Sequence, residues 1–399
     1  MTESDPSDAA RTNPDQSAPT RTDLDCVGIV GAGVMGRDLA ALFANAGFDV
    51  VLVDVAPDVL EAAHSYLATE APAALADAGL RDDSSVEAVD GADLTARVTF
   101  AADLATLADC GFVVEAISES LDAKRGLLAD LEAPLDADAV VGTNTSSLTA
   151  ADVAREGTHP ERVVLFHFAN PAIPRDIVEI SGDAAADWAL DRAERLARAI
   201  GKTPVRLRRE RRANGLSRLS AAIKCAGTWE LLDADPPAIA RGARAMGFPR
   251  GPLELVDVIG IDIHLATVDN LHDEYDGRFD PHPQIRQRME RLVETGHTGK
   301  KAGRGFFEWN GGEAVVPDGE AHDIQPVVAA LVSEAHRLVD DGVADRETVD
   351  EILKRGGGGD LGPFDIEAMV GGDTLRGILE RRHAETGADV FEPPDSLGE

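Results

Sequence analysis

A glycine pattern and its surroundings constrain this chain most. Gly31, Gly33 and Gly36 form GxGxxG directly after the apolar run Cys26 to Val30, and the periodic residues Leu39, Leu42 and Phe43 lead on to Gly47. Run, turn and period read as a strand, a tight loop and a helix. A second apolar run, Val50 to Val53, ends at Asp54. That acid, placed at the end of the next strand, turns a weak motif into a dinucleotide-binding fingerprint. Gly31 permits the turn, Gly33 lets a pyrophosphate approach the backbone, and Gly36 lets the helix pack on the sheet. The helix N-terminus offers unpaired N–H groups to the phosphates. Asp54 would accept hydrogen bonds from ribose hydroxyls and repel a 2′-phosphate, so the expected cofactor is NAD rather than NADP.

Further strand candidates are Val98 to Phe100, Phe112 to Ile117, Ala139 to Gly142, Val163 to His167 and Ile177 to Ile180. They alternate with Ala- and Leu-rich helical stretches and are apolar on both faces, as in a parallel sheet covered on both sides. The reading is an α/β Rossmann-type doubly wound sheet over residues 24–207, followed by an all-α C-terminal region. The helical part divides into 208–310, a substrate or dimerisation domain, and 320–399, a second, shorter helical repeat. Two segments carry the repeat. One runs from Trp229-Glu230-Leu231-Leu232 to Gly251-Pro252-Leu253-Glu254-Leu255, the other from His336-Arg337-Leu338-Val339 to Gly362-Pro363-Phe364-Asp365-Ile366. Each reads as helix, acidic turn, helix and a Gly-Pro-apolar-acid segment, a tandem duplication.

The net charge of −34, from 72 acids against 38 bases, repels phosphate backbones and anionic membranes and argues against nucleic-acid binding. Acid excess with few lysines fits a halophilic cytoplasm, where salt screens the self-repulsion. No apolar stretch approaches the length of a membrane span. Residues 1–23, rich in acids, Ser, Thr and Pro without an apolar core, read as a disordered arm and not a secretory signal. Cys26, Cys110 and Cys225 are too scattered to suggest a disulfide framework or a metal site, and read as small core residues in a reduced, cytoplasmic compartment.

Four ordered stretches carry the chemistry. They are Val113 to Lys124, which contains Glu119; Thr143-Asn144-Thr145-Ser146-Ser147-Leu148; Phe166-His167-Phe168-Ala169-Asn170-Pro171; and Ile177-Val178-Glu179-Ile180. With Gly251 to Leu255 and Gly299 to Phe307, these make the chain resemble the L-3-hydroxyacyl-CoA dehydrogenase family from about Asp25 to Trp309. The resemblance implies NAD-dependent oxidation of an (S)-3-hydroxyacyl-CoA. It implies His167 as catalytic base, Glu179 as the carboxylate that orients it, and Ser146 as a hydrogen bonder to the substrate's 3-oxygen. Glu119, Lys124 and Asn144 match positions lining the cofactor site, and Asn170 and Ser217 match substrate-side positions. The chemistry agrees, because an imidazole titrates near neutrality and a carboxylate on its other nitrogen fixes the tautomer.

The pattern also departs from the family. Ser217 stands where an asparagine is usual, Ala169 replaces a bulkier aromatic, and Ser120 an Asn or Asp. Asn214 is a candidate to compensate for Ser217. The cluster Arg208, Arg209, Arg211 and Arg212 is a candidate for CoA phosphates or else a solvated helix start. Lys300 to Phe307 reads equally as a structural turn or a ligand contact. The substitutions keep open a related dehydrogenase of a non-CoA hydroxy acid, and, in another class, a catalytically silent NAD-binding module. The expected assembly is a homodimer or a monomer in which the second repeat, packed on the first, mimics the dimer partner.

Overall fold

The structure, a computed structural model, describes residues 24–80 and 90–398. The expected N-terminal arm lies outside them. The described strands are β1 (Cys26–Val30), β2 (Asp49–Val53), β3 (Val98–Ala101), β4 (Phe112–Glu115), β5 (Val140–Thr143), β6 (Val163–Phe168), β7 (Ile177–Ser181) and β8 (Thr203–Arg206). They form one sheet in the order β3-β2-β1-β4-β5-β6-β7-β8. Strand order reverses between β1 and β4, and the crevice beyond the carboxyl ends of these strands is where such sheets bind ligands. The central strands are buried at nearly every position because helices cover both faces, which is why they read as unbroken apolar runs.

Two features of the sheet differ from the sequence reading. β7 runs antiparallel to β6, with His167 paired to Glu179, so the sheet is not uniformly parallel. Apolar burial on both faces looks the same for either direction. β8 was not among the expected strands: a four-residue edge strand containing Pro204 and Arg206 lacks the apolar run, and proline is tolerated at an edge.

Beyond the sheet the chain is mainly helical, with one short ribbon pairing Trp309–Asn310 with Glu313–Ala314. The duplication is visible in detail. The helices Pro252–Ile259 and Pro363–Val370 each start with Gly at the cap, Pro next, and an acid that accepts the cap N–H: Glu254 from Gly251 at 2.8 Å and Asp365 from Gly362 at 3.0 Å. Each stops at a glycine with positive φ, Gly260 at 107° and Gly371 at 93°, and a second helix follows at once. The Leu216–Trp229 helix of the first copy packs along the Gln325–Asp340 helix of the second. At their contact Arg218 is buried against Glu334 and lies 2.7 Å from Asp341.

The end of the Lys300–Phe307 segment is tied to the Pro252–Ile259 helix. Buried Asp257 accepts hydrogen bonds from the Phe306 N–H (2.9 Å), the Phe307 N–H (3.0 Å) and Trp309 Nε1 (2.9 Å). The cysteines are not all isolated core residues either. Cys26 and Cys110 bring their sulfurs to 2.7 Å across the start of β1 and the approach to β4, and only Cys225 is buried alone.

Candidate active site

The glycine-rich loop comes first, because β1 delivers it. Gly31 has φ +101° and donates its N–H to the Val53 carbonyl at 2.8 Å; a side chain there would strike the Ala116 backbone. A β-carbon on Gly36 would collide with the Gly31 carbonyl, so loop and helix touch backbone to backbone. At Gly33, by contrast, a β-carbon would meet nothing within 4 Å. The Val34–Asn45 helix begins there with no side-chain cap and no acid in its first turn. Its free N–H groups and partial positive charge thus face open space, a cradle suited to a pyrophosphate. Asp54 closes the side of this cradle. Its two oxygens accept the N–H groups of Ala32 (2.8 Å) and Ala56 (2.9 Å), which couples the ends of β1 and β2.

The ends of β4 and β5 supply the next wall. Buried Glu115 accepts from Lys124 Nζ and Thr143 Oγ1, each at 2.7 Å. Lys124, itself buried, also lies 3.5 Å from Glu119. One oxygen of Glu119 gathers the turn after β5: it accepts the Thr145 hydroxyl (2.6 Å), the Ser146 N–H (2.9 Å), and the Ser147 N–H and hydroxyl (both 2.8 Å). Burial alone would raise the Glu119 pKa, but Lys124 and the hydroxyls of Thr145 and Ser147 hold it below the usual carboxylate range. Asn144 accepts the Phe168 N–H at 2.8 Å and so fixes the end of β6 to the end of β5.

On β6 and β7 the antiparallel register sets His167 Nδ1 2.8 Å from Glu179 Oε2, both buried. The other Glu179 oxygen accepts the Leu216 N–H at 2.8 Å, the first turn of the Leu216–Trp229 helix. A β-carbon at Gly215 would overlap that oxygen, so glycine is what lets the helix start this close. Ser217 is the next residue after Leu216 in the first turn of this helix. Asn214 is buried with neither amide atom partnered and with φ +36°, between Ala213, whose N–H goes to Ser147, and Gly215.

The structure thus brings Gly31, Gly33, Gly36, Asp54, Glu119, Asn144, Ser146, His167, Glu179 and Ser217 to one end of the sheet. Asn170 lies there too, but exposed, ahead of a cis peptide to Pro171. Three members had no signal at the sequence level. Glu115 anchors Lys124, Lys202 ties down the segment after Asn170 through the carbonyls of Ala172, Ile173 and Arg175, and Asn270 donates to Ser147 Oγ at 2.9 Å from 123 residues away. The arginine cluster is mostly spoken for. Arg208 pairs with Asp345, Arg211 with Glu274, and Arg212 with Asp152 and the Asn270 carbonyl; Arg209 is exposed and forms no ion pair among the described residues. Among the described residues no group of acids, cysteines and histidines could hold a metal ion.

Comparison with known proteins agrees with this geometry. Residues 26–211 match the family model described as 3-hydroxyacyl-CoA dehydrogenase, NAD binding domain. Residues 219–309 and again 324–399 match the model for 3-hydroxyacyl-CoA dehydrogenase, C-terminal domain, one match per helical copy. The 3-hydroxybutyryl-CoA dehydrogenase of Bradyrhizobium diazoefficiens is 32% identical over 300 residues, 72% of this chain and 97% of that protein. The crystal structure of 3-hydroxybutyryl-CoA dehydrogenase from Escherichia coli covers 94% of this chain and 98% of its own with a TM-score of 0.77; at 24% identity it speaks for the fold alone. The (S)-3-hydroxybutyryl-CoA dehydrogenase of Ralstonia eutropha covers 72% of this chain and all (100%) of its own, at 26% identity and a TM-score of 0.60.

Proposed function

This chain belongs to the 3-hydroxyacyl-CoA dehydrogenase family, and from that premise we propose that it oxidises an (S)-3-hydroxyacyl-CoA to the 3-oxoacyl-CoA with His167 as general base. The observation that carries the assignment is the His167–Glu179 pair at the carboxyl end of a sheet with an open glycine cradle. NAD+, when bound, supplies the hydride acceptor. The protein's own part is proton transfer and positioning. With Nδ1 directed at Glu179, the proton on that nitrogen is retained and Nε2 is left as the acceptor for the substrate hydroxyl. As the hydroxyl proton moves to Nε2 the ring becomes cationic, and the buried Glu179 carboxylate stabilises it. Ser146, held by Glu119 through its backbone, and Ser217, at the start of the helix bonded to Glu179, are the hydrogen bonders to the 3-oxygen. Asp54 holds the ribose, and the first turn of the Val34–Asn45 helix the phosphates. Arg209 is the residue left to meet CoA phosphates.

The test runs in the reductive direction: NADH oxidation with acetoacetyl-CoA, followed at 340 nm. Turnover supports the assignment, and NADH binding without turnover of any acyl-CoA overturns it in favour of a non-CoA hydroxy acid or a silent module. The net charge of −34 supports molar KCl as the medium and a halophilic source. The second helical copy, packed along the first, supports a monomer that is its own pseudo-dimer; light scattering showing a tight symmetric dimer through the first copies would sink that. Asp54→Ala should weaken NADH about 10- to 100-fold, because a charged acceptor of two loop N–H groups and of the ribose is lost. Fluorescence titration measures this, and unchanged affinity would remove Asp54 from the cofactor site.

A further inference from the structure

Two thiols have no place in the chemistry just described. Cys26 opens β1, and Cys110 lies two residues before β4. Their sulfurs stand 2.7 Å apart. A disulfide bond spans about 2.0 Å, so the pair has less than about 1 Å to close before it can be joined. Both are free thiols in this structure, Cys26 half-buried and Cys110 2% exposed. The third cysteine, Cys225, is fully buried on the Leu216–Trp229 helix.

The backbone builds this contact. Cys26 and Gly28 alternate onto the same face of β1. A β-carbon on Gly28 would strike Leu107 Cδ2 at 2.6 Å and would lie 3.6 Å from the Cys110 β-carbon. Glycine at position 28 is therefore what lets the Leu104–Leu107 turn and Cys110 settle onto that face. The Cys110 N–H closes the turn on the Leu107 carbonyl at 2.9 Å, and β4 then pairs with β1 in the register Val27 to Phe112. Backbone hydrogen bonds thus hold both cysteines in place, and joining them asks only for side-chain movement.

The two sulfurs are not equivalent. Cys26 is the more exposed, and the hydrogen bond from Cys110 lowers its pKa, against burial and the charges of Asp49 and Asp109. The same hydrogen bond, and burial after it, raise Cys110. Cys26 is thus the sulfur that ionises first, and Cys110 the proton donor behind it. Asp49 is the register partner of Cys26 on β2, Asp109 directly precedes Cys110, and the chain carries a net charge of −34. Such surroundings repel an anionic oxidant such as glutathione disulfide and admit a small neutral one.

We propose that Cys26 and Cys110 are a reversible modification site, oxidised by hydrogen peroxide to a disulfide that staples β1 to the segment entering β4. The Cys26 thiolate attacks one peroxide oxygen. An S–O bond forms, the O–O bond breaks, and the departing hydroxide takes up a proton to become water. The Cys110 sulfur, giving up its proton, then attacks Cys26 Sγ. The S–S bond forms, the S–O bond breaks, and a second water leaves. Two thiols and one peroxide give one disulfide and two waters, and two electrons pass from sulfur to oxygen. A dithiol reductant restores the thiols. The bond ties residues 84 apart at the amino ends of two strands whose carboxyl ends meet at the glycine loop, where the Ala116 N–H donates to the Val30 carbonyl. The staple therefore fastens the middle of the sheet, about 16 Å along β1 from the cofactor cradle.

The test counts thiols after denaturation. Reduced protein has three per chain. After mild hydrogen peroxide the wild type should keep one, Cys225, a non-reducing peptide map should join the peptides of Cys26 and Cys110, and dithiothreitol should restore all three. The oxidised protein should melt about 5 °C or more above the reduced one, because the bond restricts the unfolded chain over a span of 84 residues. Cys26→Ser, a small change at a half-buried strand start, should keep both remaining thiols under the same treatment, and its melting temperature should not respond to peroxide. Cys110→Ala should leave Cys26 as a sulfenic acid that dimedone captures, which identifies Cys26 as the attacking sulfur. Three thiols surviving peroxide, sulfurs lost to sulfinic acid or to disulfides between chains, or a disulfide that brings no gain in melting temperature overturns the proposal. These readouts need no substrate and stand apart from the dehydrogenase reading.

Discussion

Replacing His167 by alanine is expected to lower kcat by about 10²–10⁴-fold, the range over which a positioned general base contributes. NADH affinity should stay near the wild-type value, because the cradle is built from β1, β2 and the Val34–Asn45 helix and not from β6. Glu179→Gln should be the milder lesion for the proton and the harsher one for the structure. A neutral amide can still meet His167, but it stabilises the imidazolium poorly, and it must also accept the Leu216 N–H that the carboxylate now takes at 2.8 Å. The kcat of Glu179→Gln should therefore fall while its pH profile shifts, since the ring loses its buried anion. An H167A enzyme that keeps more than about a tenth of wild-type kcat would show that the proton leaves by another route.

The second large effect lies at the contact between the two helical copies. Arg218 is buried against Glu334 and lies 2.7 Å from Asp341, and Arg278 lies 3.3 Å from Glu334. Arg218→Met should destabilise the fold by about 3–5 kcal/mol, the usual consequence of leaving one member of a buried pair without its partner. Arg278 still faces Glu334, so the lower end of that range is expected. The double substitution Arg218→Met/Glu334→Met should recover most of the loss, because the burial penalty of both charges disappears together. Acid sensitivity follows from the same contact. Burial by itself would raise the Glu334 pKa, but Arg218, Arg278 and Arg337 bring it below its ordinary value. A group depressed in the folded state contributes stability above its unfolded pKa, about 4.3, and loses it as pH falls toward the folded value. Urea melts at neutral pH and at pH 4 read both effects. A double mutant no more stable than Arg218→Met would show that the charges are not acting as a pair.

The local part of this protein was legible in the chain. The glycine loop, the strand before it and Asp54 follow from short-range rules: hydrophobic period, the φ that Gly31 must adopt, and the collision that excludes a side chain at Gly36. His167 and Glu179 could be named because their neighbours in sequence form a pattern, and the duplication because Gly-Pro-apolar-acid recurs. What the residues around His167 did not carry was direction. The reversal of β7 against β6 is what turns a separation of 12 residues into a 2.8 Å contact.

Long-range pairing was beyond the sequence for a physical reason: each such contact depends on where two separately formed elements are docked. Asn270 and Ser147 are 123 residues apart, Cys26 and Cys110 84, and Arg218 and Glu334 116, and nothing near either partner anticipates the other. The same holds for the arginine cluster, which looks like a phosphate site in the chain and becomes three structural ion pairs once Asp345, Glu274 and Asp152 arrive. Lys224 passes in sequence for a solvated helix residue. Tertiary packing buries it, and among the described residues no carboxylate pairs with it. The sequence by itself determined the elements and the loop chemistry, because those depend on a few adjacent residues. Tertiary structure decided which distant groups share a dielectric and which are left without partners, because only the docked elements exclude water from between them.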